Sequence, residues 1–172
     1  MSRTAVALSL SAVMLLSGGV AGAEAAEPSA ASVFLRGMKE VCAPWQAGAE
    51  QGGLYKALQA DGWNVDLLPK MQGPWGSARF QPSRNGEMRG CGAILVLSGE
   101  QGRAGTTRAV LDWVARTYPT MTMTNQNKPV PLKSGPARAW TWAGETMTIT
   151  FYVVDSITAE TAPHVVLSIK PR

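Results

Sequence analysis

The chain has 172 residues, of which 16 are Lys or Arg and 12 Asp or Glu, with two Cys, one His and six Trp. That is one domain's worth of sequence, and 45% hydrophobic against 16% charged residues excludes a disordered chain. One His and two Cys cannot build a multi-ligand zinc module, and a formal charge of +4 falls far short of a nucleic-acid-binding stripe.

The N-terminus reads as a targeting segment. Arg3 precedes an apolar run from Ala5 to Leu16 that only Ser9 and Ser11 interrupt, Gly18 and Gly19 end any helix, and Ala21-Gly22-Ala23 has the small residues a signal peptidase reads. The expected organisation is a signal peptide over residues 1–23, a flexible lead-in over 24–31 and a single α+β domain over 32–172. Ala25 offers a second cleavage point. The apolar run is too short to span a bilayer, and no later stretch has the ~20 apolar residues that would. The sequence therefore predicts a periplasmic or secreted protein of the bacterial envelope, with no stable membrane insertion once the signal is cut. Losing Arg3 lowers the formal charge from +4 to +3.

Export decides how the cysteines are read. In an oxidising compartment the only two Cys of a small domain pair most simply with each other, so Cys42 and Cys91 are expected to form a structural disulfide. A redox pair would use Cys-x-x-Cys spacing, which these two lack.

In chain order, Ser29 or Ser32 caps a first helix that carries Phe34, Met38, Val41 and Cys42 on one face, with Pro44 as its stop. A second helix runs from about Leu54 to Ala60, and Gly62 ends it. The segment from Trp63 to Gly76, with Pro69 and Pro74, reads as loop. Asn85-Gly86 marks a hairpin turn that sets Phe80 opposite Cys91 and Ala78 opposite Ala93, and Pro82 makes 77–83 an edge strand. A glycine-rich connection, Gly99 to Gly105, leads into a helix near Thr106 or Thr107 with Val110, Trp113, Val114 and Tyr118 inward. Residues 125–136 read as loop. Gly144-Glu145 forms a second hairpin turn, pairing Trp142 with Met147 and Trp140 with Ile149, and His164 to Lys170 alternates as a last strand. The predicted architecture is an antiparallel sheet of about five strands with two or three helices packed on one face.

Candidate chemistry is sparse. Gly102, Arg103 and Gly105 lie where a strand passes into a helix, a place where backbone N–H groups hold anions, yet the spacing fits neither a P-loop nor G-x-G-x-x-G. Trp45, Trp63 and Trp75 stand among Gly and Pro, where aromatic rings are placed to stack on a sugar or anchor a partner. His164 is the only imidazole, and no Ser sits in a nucleophile-elbow context. Met121 and Met123 are soft donors without a neighbouring His or Cys, so no metal or cofactor is expected. The functional expectation is a non-catalytic binding or interaction module for an envelope protein or glycan. A small hydrolase using His164 or scattered carboxylates is the alternative.

Overall fold

The computed structural model describes residues 28–99, 101–132, 135–155 and 162–172. The segment read as a signal peptide and residues 24–27 lie outside the described residues. Helix α1 (Ala30–Gly37) starts where Ser29 Oγ accepts the Ser32 N–H at 3.1 Å, so the last two residues of the expected lead-in are helical. Phe34, Met38, Val41 and Cys42 are fully buried, as their spacing predicts. Pro44 does not stop the helix. A π-helical turn, Met38–Cys42, closes with the Ala43 N–H on the Met38 carbonyl and leads into a short α2 (Ala43–Gln46). Pro44 falls in the first turn of α2, where its missing N–H costs little. Helix α3 (Gln51–Ala60) buries Leu54 and Leu58, and Gly62 follows it at φ 82°.

Eight antiparallel strands make one sheet: β1 (Asn64–Val65), β2 (Pro69–Gly73), β3 (Gly76–Asn85), β4 (Met88–Leu97), β5 (Thr122–Leu132), β6 (Gly135–Ala143), β7 (Met147–Val154) and β8 (His164–Pro171). Their order across the sheet is β1-β2-β3-β4-β8-β7-β6-β5. The α+β class is as expected, but the count of about five is too low. The additional strands are β1, β2 and β5, all toward the rims, in the two segments read as loop. Proline misleads there: Pro69 opens β2, while Pro129 and Pro131 sit on the outermost strand β5, positions where a missing N–H is tolerated.

Both hairpins turn one residue later than their sequence suggests. Phe80 lies opposite Ala93 rather than Cys91, because Gly86, at φ 60°, takes the first central position of the turn and Asn85 pairs with Met88. Trp142 lies opposite Ile149 rather than Met147. Gly144 keeps an ordinary φ, and its N–H meets the Met147 carbonyl at 2.9 Å, which leaves Glu145 and Thr146 as the turn. Moving a turn by one residue moves the pairing by two, so every side chain keeps its face. Strand β3 is internal to the sheet, but β2 reaches only as far as Arg79, so Pro82 pairs with Cys91 on one side alone.

One face of the sheet carries Phe80, Ala93, Leu95, Ile149, Phe151, Leu167 and Ile169, which form the core beneath the helices. Cys42 and Cys91 are bonded there, with Cα atoms 5.5 Å apart, tying the π-helical turn to β4. The opposite face mixes Arg79, Gln81, Thr150 and Ser168 with Ile94 and Val166. The topology also repeats where the sequence does not. Each half is helix followed by a four-stranded meander, and the fourth strands, β4 and β8, meet at the centre. The first half brings α1, α2 and α3, whereas the second brings only α4 (Gln101–Thr117), which packs beside α1.

Candidate functional site

That unequal cover shapes the site. In the first half, Trp63 stands edge-on to Phe80 with ring centroids 5.5 Å apart, and the pair is roofed. The Trp63 indole N–H donates to Glu40 Oε2 at 3.0 Å, Glu40 pairs with Arg36, and the Arg36 guanidinium lies 5.6 Å over the indole. The second half has its own Trp–Phe pair, Trp140 and Phe151, with centroids 5.6 Å apart. Over Trp140 lies a crevice of about 910 Å³ between α4 and the strands β5, β6 and β7. A volume of this size is within the range of sites for small organic ligands.

Side chains reach the crevice from three elements for reasons visible in the backbone. Arg103, Ala104, Thr107, Arg108, Leu111 and Asp112 recur at helical spacing along one flank of α4. Arg138 and Trp140 share the helix-facing side of β6, and Val153 comes from β7 opposite Arg138. Asn127 projects from an irregular part of β5, where the pairing with β6 shifts between Asn125 and Lys128. With φ 52° it is the single non-glycine at positive φ among the described residues, a conformation that Asn tolerates better than most side chains. Irregularities of this kind re-aim side chains at the rims of sheets.

The floor is apolar, from Trp140, Leu111 and Val153, and the wall is charged. Arg103 Nη1 donates to Asp155 Oδ1, an ion pair that ties the start of α4 to the end of β7. Arg108 and Arg138 are exposed at the mouth, and neither has an ion-pair partner among the described residues. Asp112 lies one turn beyond Arg108 on the same flank. Among the described residues, three guanidinium groups and two carboxylates give the crevice lining one net positive charge.

The residues singled out from sequence are distributed differently. Trp45 and Trp63 are buried, at 5% and 4% exposure, and each indole N–H is already bonded, to the Ser83 carbonyl and to Glu40. Neither offers a free ring face for stacking. Trp75, half-buried in the β2–β3 turn, packs against the edge of the core. Gly102 and Gly105 are in α4, which begins at Gln101 rather than near Thr106, so they stand in its first two turns and not in a loop before it. Of this set only Arg103 lines the crevice, and its guanidinium is engaged by Asp155. His164 projects from the opposite sheet face, with Nδ1 3.2 Å from the Ala162 carbonyl. Among the described residues no group of three or more His, Cys, Asp or Glu is placed to hold a metal.

Arg108, Arg138 and Asn127 escape a reading that looks for motifs. One signal was available: if Trp140 and Trp142 face inward, strand alternation puts Arg138 inward too, and a charged residue on a core face asks for a reason. No family model matches the chain, and no curated protein or solved structure gives a match. No helix among the described residues is long and apolar enough to cross a membrane.

Proposed function

We propose that this protein is an exported, non-catalytic binding module of the bacterial cell envelope, and that the crevice between α4 and β5–β7 is its ligand site. The observation that carries the reading is the Trp140 crevice itself, an apolar floor beneath two arginines that have no ion-pair partner among the described residues, in the half of the sheet that a single helix covers. The disulfide supports export, since such bonds persist in oxidising compartments. The separation of His164 from the crevice, on the other face of the sheet, argues for binding over hydrolysis at this place.

Two measurements test the reading. Fractionation of cells producing the full chain is expected to recover an oxidised protein outside the cytoplasm, beginning at Glu24 or Ala26. Recovery in the cytoplasm with Met1 intact rejects export. For the crevice, the neutral fluorophore N-phenyl-1-naphthylamine is expected to bind saturably at one site. Ala104→Trp, which fills the crevice from an exposed helix position, abolishes that binding at unchanged melting temperature. Binding indifferent to Ala104→Trp rejects the crevice.

A further inference from the structure

We infer that the ligand is an amphiphilic organic anion, with one anionic head held between Arg108 and Arg138 and an apolar body lying on Trp140. The inference rests on the crevice being the binding site and names what that site selects.

The charge count sets the head group. Arg103 and Asp155 neutralise one another across the wall, and both are tied down by doing so. Among the described residues that leaves Arg108 and Arg138 against the carboxylate of Asp112, a surplus of one positive charge. A dianion such as free phosphate would exceed that surplus, whereas a carboxylate, sulfonate or phosphodiester matches it. The two guanidiniums come from different elements, one from α4 and one from β6, so a head group between them closes the mouth of the crevice from both sides. Guanidinium groups present planar donors suited to the two oxygens of such a head.

The floor sets the body. The floor shows a ligand a narrow strip of Trp140 and Val153, 8% and 6% exposed, beside half-buried Leu111, with the Trp140 indole N–H as the one polar group of the three. A small hydrophilic anion would satisfy the mouth and leave that floor wet. An apolar body of two fused rings or a medium alkyl chain covers it, and each Å² of apolar area removed from water contributes about 25 cal/mol.

A matched pair of probes tests this. 8-Anilino-1-naphthalenesulfonate has the ring system of N-phenyl-1-naphthylamine plus one sulfonate. The wild-type protein is expected to bind the sulfonate at least tenfold more tightly than the neutral compound, with the difference shrinking as salt rises. Arg108→Gln combined with Arg138→Gln is expected to erase that difference by weakening the sulfonate to the level of the neutral compound measured on the same variant. Decanoate and 1-naphthoate, one alkyl and one aromatic, distinguish the kind of body by which displaces the probe at lower concentration. Acetate and inorganic phosphate are expected to displace nothing at the same concentrations.

Equal affinity for the charged and neutral fluorophores, or a charge preference that survives the double substitution, overturns the anion while the crevice stands. Displacement by phosphate as effective as by decanoate overturns the amphiphile. Neutral-probe binding that persists in Ala104→Trp overturns the crevice itself, so the two failures are separable.

Discussion

Gly37 lies flat against the ring of Phe80: a Cβ at position 37 would fall within the space of the aromatic carbons. Helix α1 therefore approaches the sheet more closely than any residue with a side chain permits, and both residues are buried beneath the helical layer. Gly37→Ala is expected to destabilise the protein by about 2–3 kcal/mol, the upper part of the range for overpacking a filled core. Gly53→Ala is the control, because nothing lies within 4 Å of its position in α3. There the loss of backbone freedom in the unfolded chain should raise stability by about 0.5–1 kcal/mol. Urea midpoints that move in the same direction for both variants would contradict the contact.

Reducing the Cys42–Cys91 bond opens a loop between residues 49 apart in sequence. Chain entropy gives about 4 kcal/mol for a loop of that length. Thiol titration of the folded protein is expected to find no reactive cysteine, and two after denaturation with reductant. Two thiols without reductant would show that the bridge is absent.

Arg89 joins three parts of the first half. Its guanidinium lies 4.5 Å over the Trp45 ring, donates to the carbonyls of Trp45 at 3.2 Å and Ala49 at 2.5 Å, and reaches Glu50 at 3.2 Å. Arg89→Met keeps the stem but takes the donor from the Ala49 carbonyl, while the Trp45 carbonyl keeps the Gly48 N–H, so a loss of about 1–3 kcal/mol is expected. Glu50→Gln should cost under about 1 kcal/mol, since that carboxylate is largely in water. Comparable losses would mean that the ion pair, not the carbonyls, carries the interaction.

Thr106 is 1% exposed, and its hydroxyl has no partner among the described residues. An unmet buried hydroxyl costs about 1–3 kcal/mol relative to an apolar group of the same shape. Thr106→Val is therefore expected to raise the melting temperature, by an amount worth about 1 kcal/mol. A lower melting temperature would reveal a bond to this hydroxyl.

Burial holds the Tyr118 hydroxyl above its ordinary pKa of 10.0. The protonated phenol is the neutral form, so at alkaline pH the unfolded chain gives up this proton before the folded one does. The contribution to stability is whole below the unfolded value and is lost as pH rises through the folded one. Urea midpoints at about pH 9 and pH 11 should fall more for the wild type than for Tyr118→Phe; equal falls would refute the shift.

Much of the fold is legible in the residues because the centre of the sheet obeys strict alternation. Phe80, Ile149, Phe151, Val165 and Leu167 fall on one face whichever of two neighbouring turn positions is chosen, so the core is recovered even with the register two residues out. The rims were obscured because β2 and β5 carry prolines that a central strand would not accept. The site was harder still. Arg108, Arg138 and Asn127 are brought together from α4, β6 and β5 by the tertiary arrangement, and they carry no local pattern. The tryptophans drew attention by their setting among Gly and Pro, yet Trp45 and Trp63 fill the core under the shorter helices.

The two rims also bear on how this molecule behaves in company. Strand β1 has only two residues, and β5 breaks its ladder with Pro129, Pro131 and two register shifts. A neighbouring copy meets no long straight row of unpaired amides at either rim of the described sheet, so both edges are blunted against strand-to-strand growth.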